Sequence, residues 1–134
     1  VRLRTKGTVN VTVPGYYNAS YYITIRHRNS LMTVSAVAVS FANTTISQSF
    51  GTLADVSGEK LKLMGDGNYV IYTGDVNQDD IIDLSDVSII HNLYSIGDVV
   101  GYIPEDVNGD GKITKIDNDF IELGSSQAIK AVTP

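Results

Sequence analysis

The sequence predicts an α+β chain in two parts. Residues 1–73 read as a small antiparallel β-sandwich (Ig-like or prealbumin-like), and residues 74–134 as a pair of loop–helix units. Three observations predict this. Short β-rich runs punctuated by turn residues fill the first half. Two acidic twelve-residue segments, offset by 31 positions, lie in the second. Each is followed by apolar residues at three- and four-residue spacing, the period of a helix with one buried face.

In chain order, Thr8–Val13 alternates strictly, with Val9, Val11 and Val13 on one face, and reads as a half-buried strand. Pro14-Gly15 stops it. Tyr21–Arg28 alternates again, setting Tyr21, Ile23, Ile25 and His27 against Tyr22, Thr24, Arg26 and Arg28; Asn29-Ser30 makes the next turn. Leu31–Phe41 is a third run, broken near Ser35, with Val37, Val39 and Phe41 in phase. Thr44–Phe50 and Tyr69–Tyr72 complete the set, while residues 51–68 carry no clear pattern. Short strands at close spacing suit a small sandwich.

The acidic segments are Asp75–Asp86 (DVNQDDIIDLSD) and Asp106–Asp117 (DVNGDGKITKID), identical at six of twelve places. Oxygen side chains at places 1, 3, 5 and 12, with glycine at place 6 of the second copy, are what a calcium loop requires. Alternate residues of a tight loop turn inward, a backbone carbonyl at place 7 (Ile81 or Lys112) adds a ligand, and a carboxylate at place 12 closes the shell. Asp83 and Thr114, at place 9 of the two loops, offer a further oxygen that could bind directly or through water. The bland alternative is an acidic surface turn, since Asp, Asn and Gly favour turns for backbone reasons. Against it, Asp75, Asp79, Asp80, Asp83 and Asp86 within one loop repel one another unless a cation intervenes.

Neither loop has an incoming helix: Tyr69–Tyr72 enters the first as a strand, and Pro104 disfavours helix at Ile103 before the second. Outgoing helices are expected. Leu84, Val87, Ile90, Leu93 and Tyr94 form one stripe, ended by Gly97; Ile116, Phe120, Ile121 and Leu123 form the other, ended by Gly124. Asp83-x-x-Asp86 and Thr114-x-x-Asp117 resemble capping boxes. Each stripe is too narrow to be stable alone, so the two should bury each other, with ions fixing the loops.

Composition narrows the function. Residues 1–72 balance at +4 and residues 73–134 at −9, so the acidic half argues against nucleic acid. There is no cysteine, hence neither disulfide nor thiol chemistry, and no 18-residue apolar run to insert in a membrane. We expect a mature piece cut from a longer secreted protein, extracellular or on the cell surface. His27 and His91 lack metal-ligand spacing. Tyr16, Tyr17, Tyr21 and Tyr22 form a candidate sugar platform, more simply read as sheet packing. No nucleophile–base pair or phosphate-cradling loop is recognisable, so no catalytic residue is expected and the chain is not expected to be an enzyme.

Paired Asp-x-Asn-x-Asp-Gly loops, closed by Asp and lacking the incoming helix, resemble the dockerin family over about residues 74–124. The resemblance implies two calcium ions, an antiparallel pair of loop–helix units, and docking onto a cohesin-like domain of another secreted or surface protein. It carries over Asp75, Asn77, Asp79, the Ile81 carbonyl, Asp83 and Asp86 as ligands of one ion. For the other it carries over Asp106, Asn108, Asp110, the Lys112 carbonyl and Asp117. Partner recognition falls on places 10 and 11, here Leu84-Ser85 and Lys115-Ile116, two pairs unlike each other; polysaccharide would be met only through the parent protein. One departure is Asp80 where the family has glycine: the left-handed turn costs an L-residue ~1–2 kcal/mol. The first half, on Tyr21–Ser30 and the Gly74–Asn77 junction, is similar to β-sandwich modules preceding dockerin-like tails in large secreted proteins of Bacteroidetes-type bacteria. It implies a stalk or companion domain. The alternatives to docking are a calcium-stiffened stalk without a partner and a glycan-binding sandwich.

Overall fold

A computed structural model describes residues 7–97 and 99–134 of the chain. The chain is α+β. In order come β1 (Ser20–Tyr21), β2 (Thr24–Ile25), β3 (Thr33–Val34), β4 (Val39–Ser40), β5 (Lys62–Leu63), β6 (Tyr69–Val70) and β7 (Ile81–Ile82). Then follow α1 (Leu84–Ile96), α2 (Lys115–Ser125) and β8 (Ile129–Lys130). Among the described residues the named strands pair two at a time, all antiparallel: β1 with β4, β2 with β3, β5 with β6 and β7 with β8.

Several expected strands change. Thr8–Val13 and Thr44–Phe50 form none. Val9, Val11 and Val13 are exposed; alternation fixes a strand only where one face has something to bury against. Tyr21–Arg28 is interrupted, so that β1 and β2 take different partners. Buried Ser35 is the cause: its hydroxyl accepts the Ile23 N–H (3.1 Å) and donates to the Val37 carbonyl (2.9 Å). This breaks the Leu31–Phe41 run where the sequence placed the break. The unpatterned stretch 51–68 holds β5, two single-turn 3-10 helices at Leu53–Asp55 and Ser57–Glu59, and a tight turn in which Asp66 accepts the Asn68 N–H (3.0 Å).

The second half is built on α1 and α2. Val76, Ile90, Ile113 and Ile121 form a buried cluster, with Val87, Ile89, Leu93, Val99, Ile103 and Val107 packed around it. Fully burying an isoleucine contributes on the order of 2 kcal/mol. The stripes are narrower than the sequence suggests, for Leu84, Tyr94, Ile116 and Phe120 are exposed. The burial of Leu123 lies outside the described residues. Gly97 caps α1 as expected, whereas α2 runs past Gly124 to Ser125.

The two units exchange extended arms. The segment after α2 pairs with the first loop, Ile81 opposite Lys130 and Ile82 opposite Ile129. The segment after α1 pairs with the second loop through the Val100–Lys112 bridge, and the Ile113 N–H donates to the Val99 carbonyl (2.9 Å). Each loop thus leans on the chain that leaves the other helix. Leu31 of the first half packs with Ile82 and Ile129 in a second buried cluster. Its N–H donates to the Tyr72 carbonyl (2.9 Å).

Candidate metal centre

Positions 75–86 and 106–117 repeat one another in most of their hydrogen bonds, although the first N–H taken by place 1 comes from place 5 in one loop and place 4 in the other. Asp75 accepts the N–H groups of Asp79 (3.1 Å) and Asp80 (3.2 Å); Asp106 accepts those of Gly109 (2.9 Å) and Gly111 (3.1 Å). Asn77 Oδ1 accepts the Asp79 N–H (2.9 Å), as Asn108 does that of Asp110 (2.7 Å). Asp79 and Asp110 accept the N–H of Ile81 and of Lys112, both at 2.9 Å. Asp86 accepts from Val76 (2.9 Å), Asn77 (3.2 Å) and Asp83 (3.0 Å). Asp117 repeats the set with Val107 (3.0 Å), Asn108 (3.2 Å) and Thr114 (2.9 Å). Side chains at places 1, 3, 5 and 12 therefore wind each backbone into a loop. Each carboxylate oxygen of Asp75 and Asp106 accepts a single N–H and so still has a lone pair to offer.

The tight winding needs left-handed backbone at places 4 and 6. Gly109 and Gly111 supply it in the second loop, with φ of 79° and 83°. Gln78 and Asp80 supply it in the first, with φ of 60° and 68°. Asp80 therefore adopts the strained conformation its place demands, and Arg26 meets its carboxylate at 3.0 Å.

Asp75, Asp86, Asp106 and Asp117 are fully buried. Burial, and then the neighbouring charge of Asp86, push Asp75 up from 3.8 to about 6; burial likewise raises Asp86. Buried acids that repel each other are the condition a bound cation relieves. The donors are all hard oxygens, the chemistry calcium takes. Among the described residues no three His, Cys, Asp or Glu side chains are grouped to hold a metal by themselves. The ligand sets expected from the sequence also draw on an asparagine (Asn77, Asn108) and on the main-chain carbonyl of Ile81 or Lys112, which lie in β7 and beside Val100. On donor chemistry, the residues fit calcium.

Place 9 has another occupation. Asp83 caps α1, accepting the Ser85 N–H (2.7 Å) and the Ser85 hydroxyl (2.6 Å), which hold its carboxyl below the usual range. Asp86 completes that capping box. Thr114 does the same for α2, its hydroxyl accepting the Ile116 N–H (3.2 Å) while Asp117 accepts the Thr114 N–H. Both loops thus end directly in a helix. Leu84, Ser85, Lys115 and Ile116, on those first turns, are all exposed: Leu84 to 70% and Ile116 to 55%. Ile116 and Phe120 border a shallow groove with Lys62 and Asp119.

The sequence did not disclose how the first half grips the loops. Arg28 donates to the carbonyls of Ile103 (3.0 Å) and Asp106 (2.8 Å), and its guanidinium lies 3.6 Å from the Asp106 carboxylate. Asn29 donates to the same Asp106 carbonyl (3.0 Å). The available signal was charge: arginines in a basic half, facing an acidic one. No protein-family model, curated protein or solved structure matches the chain.

Proposed function

We propose that the chain is a calcium-dependent protein–protein docking module. Residues 1–73 are a small β-sandwich companion. Residues 74–134 are a dockerin-like pair of loop–helix units that attaches a secreted parent protein to a cohesin-like partner outside the cell. The observation that carries this is the exposure of Leu84 and Ile116 on helix turns rooted in the two loops. Large apolar side chains held out by an ordered backbone are what a partner buries. Calcium neutralises the buried carboxylates of Asp75, Asp86, Asp106 and Asp117, and the helix starts are then fixed for docking. No helix among the described residues is long and apolar enough to cross a membrane.

The hydrogen bonds from Arg28 and Asn29 to Asp106 favour a second reading, a calcium-stiffened stalk without a partner. Sugar binding by Tyr16, Tyr17, Tyr21 and Tyr22 remains the third, to be tested by a mobility shift in a polysaccharide gel. For the first, immobilised chain is exposed to secreted and surface proteins of the source organism, with calcium or with excess chelator. Docking predicts a partner retained only with calcium and lost to one of Ile116→Asp and Leu84→Asp more than to the other. An empty lane, from a chain shown to be folded and calcium-loaded, moves the conclusion to the stalk.

A further inference from the structure

Asn29 stands between the starts of both loops. It is buried, at 3% exposure. Its main-chain carbonyl accepts the Gly74 N–H at 2.7 Å and the Thr73 hydroxyl at 3.2 Å. Gly74 directly precedes Asp75, place 1 of the first loop. The Asn29 side-chain amide meanwhile donates to the carbonyl of Asp106, place 1 of the second loop. Arg28 adds a second donor to that carbonyl and anchors Ile103 just before it. A continuous run of bonds therefore joins Asp75 to Asp106 through one residue of the other half.

We infer that the Arg28–Asn29 turn couples the two calcium loops, so that an ion in either one raises the affinity of the other. The inference rests on the calcium assignment proposed above. An ion on Asp75 orders Gly74, whose N–H holds the Asn29 carbonyl. Asn29 has little freedom in its buried position, so its amide then fixes the Asp106 backbone. The second ion meets a ligand already placed and loses less ordering entropy on binding. Linkage requires the effect to be equal in both directions. The companion half is thereby a working part of the metal sites.

The loops also share the core of Val76 and Ile113, which is a competing route. The test uses the full ¹⁵N-labelled chain titrated with calcium chloride. The amides of Asp80 and Gly111 report each loop separately, because each donates to the place-1 carboxylate. Asp110→Ala, which disables the second loop, is expected to weaken calcium at the first by on the order of tenfold. In the Asn29→Ala background the same substitution should change it by less than about twofold. Arg28→Gln retains Asn29 and so serves if Asn29→Ala does not fold; it too should shrink the coupling. Undiminished coupling in these backgrounds assigns it to the apolar core and overturns the inference, as does its absence from the native chain. If neither amide responds to calcium in the native chain, the calcium assignment itself fails.

Discussion

A methyl group on Gly74 would stand 2.5 Å from Cγ2 of Ile121, so the residue before the first loop is closed against the centre of the second helix. Its φ of 122° is also one that L-residues avoid. Strain and overpacking act together there. Gly74→Ala is expected to lower stability by about 2–4 kcal/mol in urea unfolding, with calcium or without. A loss below about 0.5 kcal/mol would mean that the two units do not pack as described.

Asp106 is gripped through its backbone by Arg28 and Asn29, and in the proposed site its side chain is the ligand. Asp106→Ala removes the carboxylate that accepts the Gly109 and Gly111 N–H groups, leaving Asp117 buried without its ion. Calorimetric calcium stoichiometry should fall from two ions to one, with faster amide exchange through α2. An unchanged stoichiometry would remove Asp106 from the ligand set.

The acidity of Asp75 makes a prediction of opposite sign with and without metal. Without calcium its carboxyl is raised to about 6, so between pH 4 and 6 the folded chain holds a proton that the unfolded chain gives up. That contribution to stability is present at pH 4 and is lost as pH rises through 6. With calcium bound, protons compete with the ion and the dependence reverses. Melting temperature from pH 4 to 6 should therefore fall in chelator and rise in saturating calcium. Parallel slopes in the two conditions would contradict this.

Leu84-Ser85 and Lys115-Ile116 are chemically unlike, so a partner is expected to use one pair more than the other. Leu84→Asp and Ile116→Asp should both leave two calcium ions bound, because neither side chain is buried. Their effects on partner capture should differ by about tenfold or more. Equal losses would point to a two-faced surface instead.

The loops were legible because their information is local. The shared places specify the oxygen positions, and each segment carries its own turn residues at places 4 and 6 and its own helix cap at place 9, all within twelve residues of chain that the backbone of each loop follows. Helices α1 and α2 came from spacing in the same way. The first half was less legible: Val9, Val11 and Val13 alternate as well as any strand, yet alternation names no partner. Nor does local sequence show that Ile129–Lys130 returns to the first loop, or that Arg28 and Asn29 reach Asp106 from nearly eighty residues away. Those contacts depend on how the halves are placed, which charge complementarity hints at and periodicity does not encode.

Calcium titration of the native chain by calorimetry, paired with its melting curve, decides whether the loops are metal sites. Two ions per chain and a melting temperature that rises with calcium concentration are expected. No binding heat at several temperatures, with a melting temperature unmoved by millimolar calcium, would show that the two loops are acidic turns and not metal sites.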